Sequence, residues 1–260
     1  MLENHPHSAG ALYGGVDNLE VMRAAPNYYE HQIMCLLPWL KGVETAVDFG
    51  AGLGDFSRSM RRFGLRVLCV EPDKRLSTSL RQDGFEVFDS SDALVEALHS
   101  SSAPDANPAW VDFIYSLNVL EHIDDDETEL RLLLEALRPG GTLFIYVPAF
   151  KCLYSAMDRH VGHCRRYTRR MLADRVTGAG FEVVHARYAD SLGFFASLAL
   201  RAVPGSDGSL SRRAVAFYDT FVFPLSRMLD LLCNRWFGKN LLLVARRPLS
   251  AASSSESGCG

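Results

Sequence analysis

An apolar run, Ala46-Val47-Asp48-Phe49, breaks into three alternating glycines, Gly50, Gly52 and Gly54, with Ala51 and Leu53 between them and Asp55 directly after. One strand later, Val67-Leu68-Cys69-Val70 closes on Glu71 and turns at Pro72-Asp73. Glycines at a strand-to-helix turn let the backbone lie against a cofactor, and an acid closing the next strand can hydrogen-bond a ribose diol. The pair points to an adenosine-containing cofactor. Dinucleotide sites usually space their glycines G-x-G-x-x-G, and an acid in the helix's first turn suits the helix dipole but repels a diphosphate. Asp48 and Asp55 therefore read as electrostatic partners for a cation. S-adenosylmethionine, with its sulfonium and ammonium, fits that reading better than NAD; an NAD-dependent oxidoreductase, or a non-catalytic protein that only binds the cofactor, stays open as the alternative.

A second segment with chemistry is Met157-Asp158-Arg159-His160-Val161-Gly162-His163-Cys164-Arg165-Arg166-Tyr167-Thr168. Imidazole takes a proton near neutral pH, so His160 and His163 read either as general bases or as residues whose hydrogen bonds order the loop. Arg165 and Arg166 could grip an acceptor carboxylate or phosphate in forked geometry; capping a helix or forming salt bridges is the other reading. Tyr167 is a third catalytic candidate beside its reading as a packed phenol. No metal-ligand set is assigned, and the six cysteines stand without a C-x-x-C pair, as expected of reduced thiols in a cytosolic protein.

Strands at about 45–49, 66–70, 85–88, 111–116 and 142–147 alternate with helices at about 54–63, 74–82, 125–137 and 168–179, which implies parallel βαβ units and a doubly wound α/β sheet. Another helix, 28–40, puts Ile33, Leu36, Leu37 and Leu40 on one face to pack on that sheet. Open α/β sheets bind ligands beyond the carboxyl ends of their strands, which puts the 157–168 segment over the cofactor. Asp89, after the third strand, would accept the adenine amino group or cap the next helix. Tyr28 and Tyr29 read as closing over one end of the site or as ordinary packing.

The order of motifs carries a resemblance. After the fourth strand stands Ser116-Leu117-Asn118-Val119-Leu120-Glu121-His122-Ile123, and Leu137-Arg138-Pro139-Gly140-Gly141 makes a helix stop and turn before the fifth. Over about residues 25–185 the chain resembles the class I S-adenosylmethionine-dependent methyltransferases, in the group with "LEHI" and "L(R/K)PGG" segments. The resemblance implies a Rossmann-like, mainly parallel seven-stranded sheet whose last two strands, at 181–188 and 240–246, pair antiparallel. It implies cofactor contacts from Asp48, Gly50, Ala51, Gly52, Gly54, Glu71, Pro72, Asp89, Leu117 and Asn118. The 157–168 segment is similar to a "D-x-x-x-G-H-x-R-R-Y-T" stretch of a subgroup associated with lipid- or sugar-linked substrates, with Cys164 in place of a frequent aromatic. Asn118-Val119-Leu120 stands where amide- and base-methylating enzymes carry D/N-P-P-Y.

With 260 residues and a net charge of -4, the chain can bury one full core and has no general attraction for polyanions, so a small-molecule or lipid-linked acceptor is expected rather than nucleic acid. The N-terminus lacks the basic and apolar blocks of a signal peptide, so a cytoplasmic protein is expected. Residues 1–25 read as a mobile arm, 26–248 as the methyltransferase domain and 249–260 as a disordered tail. Within the domain, 189–239 reads as a helical insertion carrying Phe194, Phe217, Phe221, Leu225, Met228, Leu232 and Trp236. It packs on the domain or a second protomer, forms a lid over a lipophilic acceptor to which Phe194 would contribute, or touches a membrane surface. Its charges leave no run long enough to span a membrane.

Overall fold

The computed structural model describes residues 16–100, 110–201 and 211–249. The expectations for residues 1–15 and for the tail from 250 fall outside the described residues. After helices α1 (Val16–Met22) and α2 (Pro26–Leu36), the chain alternates β1 (Thr45–Phe49), α3 (Asp55–Arg62), β2 (Arg66–Val70), α4 (Lys74–Gln82), β3 (Glu86–Phe88), α5 (Ser91–Ser100), β4 (Val111–Leu117), α6 (Asp126–Ala136) and β5 (Leu137–Pro148). Then come α7 (Ala156–His160), α8 (Arg169–Gly178), β6 (Glu182–Ala189), the insertion helices α9 (Ser191–Arg201), α10 (Arg212–Phe217) and α11 (Phe223–Cys233), and β7 (Asn240–Arg246).

The sheet order is β3-β2-β1-β4-β5-β7-β6. The first five strands run parallel, and β7 lies antiparallel between β5 and β6. Parallel strands covered on both faces need apolar residues at successive positions, and β1 and β4 show it. Ala46 faces α2 and α3 through Ile33, Leu36 and Met60, while Val47 and Phe49 face α5, α6 and α8 through Leu94, Leu133 and Val176. Two cores result, one on each face.

Three expectations are corrected. The stretch taken as a mobile arm contains α1, whose Leu19 approaches the glycine turn and after which Arg23 pairs with Asp55 at 2.9 Å. Pro139-Gly140-Gly141 is no turn ahead of β5 but a bulge inside it: Val111 pairs with Leu137 and Phe113 already with Thr142. Glycine lets the extra residues loop out, since Gly140 has φ of 75° and its N–H still donates to the Arg247 carbonyl at 2.9 Å. Helix α2 stops at Leu36 and tightens into a 3-10 turn over Leu37–Trp39, because Pro38 has no N–H to continue it.

Buried carboxylates fasten the insertion to the domain. Asp219 accepts the N–H groups of Asn27 (3.0 Å) and Tyr28 (2.8 Å) at the start of α2. Asp230 accepts those of Asp190 and Ser191, both at 2.8 Å, at the start of α9. Asp190, at φ of 63°, accepts from Gly193 N–H and from the Tyr218 and Ser226 hydroxyls. Each anion satisfies orphan donors at a helix start. This half of the insertion is therefore anchored, while its other face, including Phe195, Leu200, Phe221, Leu225, Leu232 and Trp236, stays exposed.

Candidate active site

The carboxyl ends of β1, β2, β4 and β5 converge on one edge of the sheet. There Gly50 and Gly54 take φ of 79° and 76°. A Cβ on Gly50 would lie 2.3 Å from Val119 Cγ2, and one on Gly54 2.5 Å from Leu80 Cδ2, so conformation and space both require glycine. Glu71 is buried where β2 ends; it accepts the N–H of Gly52 at 2.7 Å and of Asp73 at 2.9 Å. Burial raises its proton affinity, and the two amide bonds work against that. The acid thereby ties the second strand to the glycine turn. Asp73 in turn caps α4, and Pro72 stands exposed at the bend.

Asp48 does not serve as a counter-charge on the open side. It is buried and receives the Ser57 hydroxyl at 2.5 Å, and burial pushes its carboxyl up to about 7. Asp55 is corrected as well: Arg23 at 2.9 Å and Arg58 at 2.6 Å neutralise it. Burial opposes its ionisation, but those two partners outweigh it and hold its carboxyl below the usual range. The charge argument for a cationic cofactor therefore falls, and the glycine turn with Glu71 remains. Asp89 is exposed and pairs with Arg81 at 2.8 Å; the cap of α5 is Ser90, whose hydroxyl accepts from Ala93 N–H at 3.2 Å. Asn118, at φ of 56°, is exposed at the end of β4 beside half-buried Leu117. Tyr28 packs edge-on against Tyr146 and Phe223, and Tyr29 lies against Phe56 with its hydroxyl donating to the Asp55 carbonyl at 2.6 Å. Both rings brace α2.

The loop after β5 is organised around Asp158, which is fully buried. Its carboxylate meets His163 Nδ1 at 2.7 Å, Arg166 Nε and Nη2 at 2.8 and 3.0 Å, and the Ser155 N–H at 2.8 Å. Burial opposes that charge, but the His163 and Arg166 bonds prevail and hold the carboxyl well below the carboxylate range. Arg166 is thus a buried structural cation and not an acceptor clamp. Arg165 is committed too, reaching the Ile123 and Asp124 carbonyls at 2.7 and 2.8 Å and Asp126 at 3.1 Å. Tyr167 is fully buried, donating to Asp126 at 2.6 Å and lying 3.1 Å from the Leu120 carbonyl, so it is not catalytic. His160 is exposed at the end of α7.

Of the catalytic candidates, His163 meets Glu121 and His122 just beyond β4. Its ring stands edge-on to His122 with centroids 4.6 Å apart, and its Nε2 lies 3.8 Å from Glu121 Oε1. Glu121 is fully buried, and neither of its carboxylate oxygens finds a hydrogen-bond partner on another described residue. Burial pushes that carboxyl up to about 8 and, with the His163 charge, pushes the His122 imidazole down to about 4. In the sequence Glu121 and His122 stand out only as part of the segment after the fourth strand, and that position beyond β4 is the signal for their role. Nearby, Phe194 packs with Phe150, Phe195 and Phe237 in an aromatic wall.

A family model described as a methyltransferase domain matches residues 22–186. The chain belongs to that family. Curated relatives of this methyltransferase-domain protein include the ubiquinone biosynthesis O-methyltransferase of Cupriavidus pinatubonensis, 30% identical over 116 residues, or 42% of this chain and 45% of that one. The enzyme of the same name from Xanthomonas campestris pv. campestris strain B100 is 29% identical over 99 residues, covering 38% and 41%. The chain thus spans less than half the length of these relatives. Among solved structures, a SAM-dependent methyltransferase from Archaeoglobus fulgidus superposes with a TM-score of 0.54 at 16% identity, covering 84% of this chain and 93% of that one. Phosphoethanolamine N-methyltransferase 2 of Haemonchus contortus gives 0.51 at 16%, covering 84% and 52%. At those identities the likeness is one of fold.

Proposed function

We propose that the protein transfers the methyl group of S-adenosylmethionine to a small-molecule or lipid-linked acceptor. The observation that carries this reading is the positive-φ glycine turn at the end of β1, bonded through Gly52 to Glu71 at the end of β2, within a methyltransferase domain. The residues fit the cofactor: a side chain at Gly50 would fill the turn, and each Glu71 oxygen bonds one amide and keeps a lone pair for a ribose hydroxyl. Gly50, Gly52, Glu71, Leu117 and Asn118 would hold it. S-adenosylmethionine supplies an already activated methyl group, so the protein's own work is alignment, exclusion of water and handling of an acceptor proton.

An oxygen acceptor is the reading that the relatives' printed names support. A hydroxyl must shed a proton, and the Glu121–His122–His163 cluster beyond β4 is where the domain carries groups for that. The exposed face of the insertion supports a lipid-linked acceptor met at an anionic membrane surface. Among its described residues the acids Asp190, Asp219 and Asp230 are buried, whereas Arg201, Arg212, Arg213 and Arg235 are exposed around the apolar residues. No helix among the described residues is long and apolar enough to cross a membrane.

The test is methyl transfer from labelled S-adenosylmethionine to phenolic, carboxylate and polyprenyl-linked acceptors, with and without vesicles containing anionic phospholipid. Label in a phenolic lipid, increased by those vesicles, is the expected result. Transfer only to water-soluble acceptors, unaffected by vesicles, refutes the membrane part, and transfer to none refutes the activity.

A further inference from the structure

We infer that Glu121, His122 and His163 form a binding site for one divalent transition-metal ion of the zinc type. One ligand atom from each of the three lies within 4.8 Å of the others. Two imidazoles and a carboxylate around Zn²⁺, at about 2.0–2.2 Å each, stand about 3.4 Å apart in a tetrahedron, so small side-chain rotations close the set and leave a fourth position for an exogenous oxygen. Mixed nitrogen and oxygen donors of this kind suit zinc and its neighbours, whereas magnesium prefers oxygen ligands.

Two independent features support a cation over a chance cluster. The first is Glu121 itself: a fully buried carboxyl to which no other described residue makes a hydrogen bond, its Oε1 3.8 Å from His163 Nε2 and in reach of His122. Ionising a carboxyl at that depth requires a cation at bonding distance, and a metal ion supplies one. The second is the support behind His163. Metal-bound histidines usually donate their other ring N–H to a carboxylate, which fixes the tautomer and turns the free nitrogen toward the metal. Asp158 meets His163 Nδ1 at 2.7 Å and is itself held by Arg166 and the Ser155 N–H, so Nε2 is the nitrogen presented to Glu121. The ligands come from adjacent loops, Glu121 and His122 after β4 and His163 after β5, both at the edge of the sheet where the glycine turn lies. An ion there would bind an acceptor hydroxyl at its open position and make that hydroxyl more acidic. His163 then acts as a ligand and not as a free base.

Metal binding is tested without reference to methyl transfer. The full chain, freed of any affinity tag and stripped with chelator, is titrated calorimetrically with zinc chloride and spectroscopically with Co²⁺. The expected result is one equivalent bound, with the visible d–d bands of low-coordinate Co²⁺. Glu121→Gln and His163→Gln should each weaken Zn²⁺ binding at least tenfold, Asp158→Asn about 10- to 100-fold, and His160→Gln not at all, with far-UV circular dichroism confirming the fold of each metal-free variant. If folded Glu121→Gln and His163→Gln bind Zn²⁺ as the parent does, or the parent binds none, the site is refuted and Glu121 is a neutral buried acid beside His163.

Discussion

Replacing Asp48 by asparagine should make the protein more stable at neutral and alkaline pH. Burial pushes the Asp48 carboxyl from 3.8 up to about 7 in the folded state. Between about pH 4 and 7 the folded chain therefore holds a proton that the unfolded chain has released, so stability attributable to this group falls as pH rises through that window. A shift of about three units at 1.36 kcal/mol each amounts to about 4 kcal/mol of penalty above pH 7. Asparagine keeps an oxygen to accept the Ser57 hydroxyl, which donates at 2.5 Å, but brings an amide NH₂ whose burial without an acceptor costs about 1–3 kcal/mol. The net gain at pH 8 is about 2 kcal/mol, or about 4–8 °C in Tm for a domain of this size. At pH 4, where the folded carboxyl is already neutral, the variant should be no more stable than the parent. Urea denaturation of both proteins from pH 4 to 8 reads the difference directly and cancels the titration of other groups. A stability difference that stays constant with pH, or one that turns against the variant at pH 8, would refute the reasoning.

Glu71→Ala should weaken S-adenosylhomocysteine binding by about 1.5–3 kcal/mol, the worth of hydrogen bonds to a charged acceptor, and should lower stability by about 1–3 kcal/mol because the Gly52 and Asp73 N–H groups lose their acceptor; calorimetric titration and urea denaturation check both. Gly50→Ala forces a Cβ to within 2.3 Å of Val119 at a backbone φ of 79°, and should lower Tm and abolish measurable cofactor binding together. Arg166→Met leaves the fully buried Asp158 carboxylate short of its cation and should cost about 3–5 kcal/mol in urea denaturation at pH 7. If Arg166 served an acceptor anion instead, the same variant would keep its stability and lose only acceptor affinity.

The sheet was legible because strands covered on both faces must be continuously apolar, and 45–49, 66–70 and 240–246 match the observed β1, β2 and β7. The antiparallel seventh strand followed only from the resemblance, since nothing in Leu241–Ala245 encodes direction. The bulge of β5 was hidden because Pro139-Gly140-Gly141 has the composition of a turn, and only pairing with β4 shows that the strand continues through it. Helix α1 was missed because it is only 7 residues long, too short for the spacing of Val16, Leu19 and Met22 to stand out, and its order comes from Leu19 and Arg23 meeting the glycine turn and α3. At the site, Gly50, Gly54 and Glu71 could be read since their conformation and position are local properties. Arg165 and Arg166 could not, because what neutralises them, Asp126 and Asp158, is set by how two loops pack. Glu121 gained its meaning from burial alone, which the topology imposes on the residue beyond β4.

Calorimetric titration of the full chain with S-adenosylhomocysteine, with NAD and NADH in parallel, tests the central claim most directly. The account predicts binding of one equivalent of S-adenosylhomocysteine and of neither nicotinamide cofactor. Binding of NAD or NADH in its place, or of none of the three, would contradict it.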